Sequence, residues 1–109
     1  MHDHRTVISH SMAVSGDITV GTHLIVEGAV TAAKIDTQNH TVIIGQYSAV
    51  QADVHGSQVL VLGQLNGNVF ATEKIDIRAT AVVNGDLHAP LIKLEEKSRL
   101  NGRLNYTGG

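Results

Sequence analysis

Leu65-Asn66-Gly67-Asn68-Val69 and Val83-Asn84-Gly85-Asp86-Leu87 are two copies of one unit: an apolar residue, any residue, a small residue, any residue, an apolar residue. The unit recurs as Val14-Ser15-Gly16-Asp17-Ile18, Val50-Gln51-Ala52-Asp53-Val54 and Leu100-Asn101-Gly102-Arg103-Leu104. A looser copy, Val30-Thr31-Ala32-Ala33-Lys34-Ile35, carries one extra residue. The central small residues stand at 16, 32, 52, 67, 85 and 102, a mean step of about 17, and a second series, Gly28, Gly45 and Gly63, runs between them. A fixed period with one supersecondary unit per repeat predicts a solenoid. Seventeen residues are too few for a helix pair but suit one coil of a β-helix with three short strands. The apolar residues flanking each small residue are expected to point inward and stack on the same position of the coils above and below. The small residue between them is expected to face outward, where a corner or close backbone approach tolerates little side chain.

The rest of the chain agrees with strands. Apolar residues alternate in short runs such as Leu24-Ile25-Val26, Val42-Ile43-Ile44, Val59-Leu60-Val61 and Ile75-Asp76-Ile77. Val, Ile and Thr, whose branched side chains favour extended backbone, supply 31 of the 109 residues. Aromatic residues are only 3% of the chain, so the interior must be narrow and aliphatic. The expectation is an all-β fold, a single parallel β-helix of about six coils with strands stacked about 4.8 Å apart. Residues 6–106 would form the solenoid, with 1–5 and 107–109 as tails. The polar run Asp36-Thr37-Gln38-Asn39-His40-Thr41 is expected to protrude at a corner, and Pro90, which lacks a ladder donor, marks another.

Several function classes are excluded by composition. Ten acidic against eight basic residues give a formal charge of −2, the wrong sign for displacing counterions from nucleic acid. Without cysteine there is no disulfide framework, thiol nucleophile or Cys zinc site. No run approaches the ~18 apolar residues of a membrane span, and Met1-His2-Asp3-His4-Arg5 lacks the apolar stretch of a secretory signal. A soluble protein of the cytoplasm is expected.

The ordered series of units resembles the bactofilin domain, a bacterial polymer-forming cytoskeletal family. The likeness is closest over Val61-Leu62-Gly63-Gln64-Leu65-Asn66-Gly67-Asn68-Val69, Ala71-Thr72-Glu73-Lys74, Ala81-Val82-Val83-Asn84-Gly85-Asp86-Leu87, Ala89-Pro90 and Leu91-Ile92-Lys93-Leu94. Val14-Ser15-Gly16-Asp17-Ile18 resembles the family's opening motif, and the likeness runs from Thr6 to Tyr106. It implies a right-handed β-helix that joins end to end into non-polar filaments without nucleotide, metal or other cofactor. It also implies a scaffold that positions cell-shape or cell-wall machinery, often at the inner face of the cytoplasmic membrane. Met1 to Arg5 does not match the apolar targeting peptide of some members, so direct membrane binding is not expected of this stretch.

Self-assembly also follows from elementary arguments. A β-helix that stops abruptly leaves unpaired strand edges and core side chains at both ends, and no amphipathic helix is visible to cap either. The contacts are assigned to Val7, Ile8, Met12 and Val14 at the first coil and to Leu100, Leu104 and Tyr106 at the last.

Seven histidines, His2, His4, His10, His23, His40, His55 and His88, raise the question of a metal. His23, His40 and His55 are spaced so that they can stack on neighbouring coils. Their spacing drifts, however, and two fall near corners, so surface histidines without metal are expected. Asp17, Asp53 and Asp86 follow the small residue of their units, with Asn68 in the same slot, which suggests a polar ladder rather than a catalytic carboxylate pair. No phosphate-cradling motif occurs. The C-terminal charges from Lys93 to Arg103 mix both signs, as a solvated face does. The enzyme-class alternative is a left-handed, trimeric hexapeptide-repeat acyltransferase or anhydrase, which Ile44-Gly45-Gln46-Tyr47-Ser48-Ala49 resembles locally; six-residue units are not sustained, however. A third reading is a β-helix adaptor that does not polymerise.

Overall fold

The alternation of inward and outward residues produces three flat faces per coil in the computed structural model, which describes residues 5–8 and 11–106, without the side chains of Arg5, Thr6 and Tyr106. Of the expected tails at 1–5 and 107–109, residues 1–4 and 107–109, like His10, lie outside the described residues, while Arg5 begins β1. Fourteen strands run in chain order: β1 (Arg5–Ile8), β2 (Met12–Ala13), β3 (Asp17–Thr19), β4 (His23–Val26), β5 (Ala29–Asp36), β6 (Thr41–Ile44), β7 (Ala49–Val61), β8 (Gln64–Asn66), β9 (Val69–Ile77), β10 (Val82–Asn84), β11 (Leu87–Ala89), β12 (Leu91–Leu94), β13 (Arg99–Asn101) and β14 (Leu104–Tyr106). Every pairing is parallel, between one coil and the next. The first face stacks β1, β4, β6, the end of β7, the end of β9 and β12. The second stacks β2, β5, β7, β8, β10 and β13, and the third β3, β5, β7, β9, β11 and β14. The six-coil all-β solenoid expected from the repeat is present, with no helix among the described residues.

Like side chains stack on like. Leu24, Val42, Val59, Ile75 and Ile92 form one inward column and Val26, Ile44, Val61 and Ile77 the next. Val30, Val50, Leu65 and Val83 fill the second face, and Ile35, Val54, Val69 and Leu87 the third. All of these are buried, which removes aliphatic surface from water, and no aromatic is buried among the described residues. A slip of one residue would turn each column outward, so burial fixes the register.

The small residue of the later units stands at a close backbone approach, one of the two reasons expected for it. A side chain on Gly67, Gly85 or Gly102 would run into the carbonyl of the preceding coil, at Ala52, Gly67 and Gly85 respectively. These glycines also hold φ between +148° and +159°, which only a residue without Cβ adopts cheaply. The extra residue of the Val30–Ile35 unit is a bulge, since pairing slips between Thr31 and Lys34 against the next coil.

The opening unit is shifted as well. Met12, not Val14, pairs with Val30, so Val14 stands two residues beyond the stacking position.

The run from Asp36 to Thr41 is only partly a protrusion. Gln38 and Asn39 make the turn in the left-handed region, with φ of 54° and 66°, but Thr37 is fully buried. Its Oγ1 lies 2.9 Å from the His40 carbonyl and 3.1 Å from that of His55, close enough to donate to either. The Thr37 N–H donates to His55 at 3.0 Å, and the protonated Nδ1 of His40 donates to the Thr37 carbonyl at 2.7 Å. Thr37→Val keeps the shape and deletes the hydroxyl; urea unfolding should show a loss of about 1 kcal/mol, the net value of one such bond. An unchanged midpoint would mean that the hydroxyl holds nothing. Pro90 does sit at a bend, between β11 and β12.

Candidate functional site

Among the described residues, the first and last coils each have a neighbour on one side only. In the first, β1 pairs with β4, and β2 and β3 pair with β5, with no described strand along their outer edges. At the other end β12, β13 and β14 pair, among the described residues, only with β9, β10 and β11. Such edges present rows of backbone donors and acceptors ready to pair with another chain.

Side chains repeat this pattern. In the first coil Ile8 is buried over Val26, while Met12 is 41% exposed and Ile18 and Val20 are half-buried against the core. In the last coil Ile92 is buried, Leu94 is 43% exposed, and Leu100 and Leu104 are half-buried. The residues that stack directly beneath them, Ile77, Val83 and Leu87, are fully buried. Aliphatic columns therefore end with their last member partly uncovered at both faces, at Met12 and Ile18 in the first coil and at Leu94, Leu100 and Leu104 in the last.

Of the assigned contact residues, Ile8 and Met12 at one end and Leu100 and Leu104 at the other occupy inward columns. Val14 is half-buried where the register slips. The backbone of Tyr106 pairs with Ala89, and its side chain lies outside the described residues. Val7 is on the outer face: it pairs with Ile25, next to the inward Ile8, and is 47% exposed. Strict alternation in Leu24-Ile25-Val26, whose two ends are buried, carries the signal that separates Val7 from Ile8. The same alternation identifies Ile18, Val20, Ile92 and Leu94 as members of the end faces, which the sequence reading had not assigned.

The polar ladders run along the rod between the ends. The Asp53 carboxylate accepts the Asn68 N–H at 2.9 Å, Asn68 Oδ1 accepts the Asp86 N–H at 3.0 Å, and Asp86 accepts the Arg103 N–H at 3.0 Å. These side chains satisfy backbone donors at the glycine corners and form a polar ladder along the rod. Beside them Asn101 donates its amide to Asn84 at 2.9 Å, and Asn84 to Asn66 at 2.8 Å.

The histidines sort into two groups. His23 and His40 meet edge to face, ring centres 5.3 Å apart, and His23 Nδ1 accepts the Thr41 N–H at 3.0 Å. His55 stacks on Phe70 and Phe70 on His88, each 4.6 Å between centres. Only His23 and His40 of the spacing-based trio touch. No group of three or more potential ligands able to hold a metal occurs among the described residues. The C-terminal charges lie in solvent, where Glu95 pairs with Arg78 at 3.2 Å; exposed pairs of this kind contribute little. Arg78 also reaches the half-buried Asp76 at 3.4 Å. No helix of the described residues is long and apolar enough to cross a membrane.

The comparisons with known proteins agree with this architecture. The chain is 28% identical over 100 residues to bactofilin BacO of Myxococcus xanthus (strain DK1622), covering 92% of this chain and 78% of that protein. It is 29% identical over 100 residues to bactofilin BacP of the same organism, again 92% of this chain but 41% of that protein. No solved structure matches. The family described as polymer-forming cytoskeletal matches residues 6–105, the same span that the six stacked coils occupy, and on that evidence the chain belongs to the bactofilins.

Proposed function

We propose that this chain is a non-enzymatic structural scaffold that polymerises through its coil ends. The observation that carries the reading is the pair of open faces, each with unpaired strand edges and a half-exposed aliphatic layer. A second copy covering such a face pairs the backbone and buries Leu94, Leu100 and Leu104, or Met12, Ile18 and Val20. Both effects favour association and need no nucleotide, metal or cofactor. The filaments are expected to be non-polar and cytoplasmic, lying at the inner membrane face where they position cell-wall or cell-shape machinery.

Negative-stain electron microscopy and sedimentation test the reading. Wild type is expected to form long thin filaments that neither chelators nor nucleotides alter. Leu104→Arg and Met12→Arg each bring a charge into an apolar contact where it finds no partner. Each should shorten or abolish filaments while the β circular dichroism stays unchanged. Filaments of wild-type length from both variants would overturn the end assignment. Discrete wild-type particles would leave a monomeric adaptor if their mass is that of one chain, or a trimer if it is three.

A further inference from the structure

The stacked rings of His55, Phe70 and His88 line a groove of about 390 Å³ on the third face, and nothing in the assembly of coils accounts for it. The opposite lip is the turn at Gln38 and Asn39, whose left-handed backbone is of the sort that survives only where surroundings enforce it. Here the enforcement is visible. Gly56, beneath the turn, is packed so closely that a Cβ would come within 2.8 Å of the His40 carbonyl and 2.9 Å of Thr37 Oγ1. Asn39 Oδ1 lies 3.5 Å from the Thr72 hydroxyl two coils on, which ties the lip across the corner.

We propose that this groove is a docking site for an extended segment of a partner protein, which inserts an arginine side chain. Asp36 is the only Asp, Glu, Lys or Arg among the described residues lining the groove. One oxygen of its carboxylate accepts the Gln38 N–H at 2.9 Å, and the other makes no hydrogen bond or ion pair among the described residues. Asp36 pairs with His55 across the strands, so the carboxylate borders the ring that ends the stack. No ring covers that terminal face of His55 among the described residues. A planar guanidinium suits this corner: it stacks on a ring while donating to a carboxylate, with its methylene stem along apolar surface. The column from Asp36 to His88 spans four coils, about 14 Å at the usual strand spacing, enough for roughly four extended residues. The groove lies on the side of the rod, so a polymer joined through its ends would leave it open and repeat it in every subunit. A partner with two such segments would gain avidity from that repetition.

Saturation-transfer difference NMR of wild-type protein, which works on large assemblies as on single chains, tests the site with N-acetyl-arginine methylamide. N-acetyl-citrulline methylamide is the uncharged control of similar shape. Arginine amide should receive saturation and the citrulline amide about tenfold less, the ratio expected for losing a charge-assisted hydrogen bond. Asp36→Asn retains the acceptor for Gln38 and should reduce the arginine signal to the citrulline level. Phe70→Leu, checked for unchanged circular dichroism, should weaken it severalfold. Glu95→Gln, at an exposed carboxylate outside the groove, should change nothing. Equal saturation of the two amides overturns the proposal, as does retention of the signal in Asp36→Asn or an equal loss in Glu95→Gln. The readout does not depend on filament formation, so the groove and the end contacts fail or stand separately.

Discussion

Gly85→Val is expected to unfold the solenoid well below the wild-type melting temperature. A side chain at Gly85 would collide with the carbonyl of Gly67 in the preceding coil, and the φ of +149° is one that a β-branched residue avoids. Backbone strain and overpacking each cost about 1–3 kcal/mol, so the sum is roughly 2–6 kcal/mol. For a domain of this length the melting temperature should fall by roughly 10–25 °C. Gly16 supplies the comparison. It has φ +134°, yet nothing among the described residues lies within 4 Å of where a Cβ would stand. Gly16→Val should therefore lose only the backbone part, about 1–3 kcal/mol. Equal losses in the two variants would show that contact between coils is not what requires the glycine. Under the end-to-end reading, Gly16→Val should additionally weaken filament formation, because the new side chain would then meet the backbone of a neighbouring copy.

Leu65→Ala should be the second large effect. Leu65 is fully buried, with Val50 before it and Val83 after it in the same column. Truncation leaves a cavity that close-packed neighbours on both sides cannot fill, a loss of about 3 kcal/mol within the usual range of 2–5. Leu100 ends that column and is only half-buried, so Leu100→Ala should cost less than half as much in non-assembled protein. Urea unfolding of both variants, under conditions that prevent assembly, checks the difference. Equal costs would mean that Leu100 is covered within the single chain, and the face it belongs to would then not be open.

Alternation and period made most of this architecture legible. Val59-Leu60-Val61 and Ile75-Asp76-Ile77 read directly as inward, outward, inward, and the structure keeps that order. The extra residue near Ala32 and Ala33 was visible as a break in spacing and appears as the bulge. Val7 was harder, since an apolar residue next to the chain's start reads equally well as core or surface until its partner Ile25 fixes the parity. The offset of Met12 and Val14 escaped for a related reason. Val14-Ser15-Gly16-Asp17-Ile18 fits the unit as text, whereas pairing with β5 is what selects Met12. Thr37 looked polar and therefore exposed, but its hydroxyl replaces solvent with two nearby carbonyls.

What the sequence determined by itself is the coil: strand type, period, corner residues and the aliphatic columns, all of which depend on residues a fixed distance apart in one repeat. What only the tertiary structure decided is everything that depends on the step between coils. The steps vary from 15 to 20 residues, so the column to which a surface residue belongs cannot be counted forward from the previous repeat. His55, Phe70 and His88 are 15 and 18 residues apart, and their stacking became apparent only once β7, β9 and β11 were paired. The groove over which Gln38 and Asn39 fold follows from the same cause. It is formed by a long corner in one coil overhanging short corners in the next, a relation between neighbours in space that no single repeat contains.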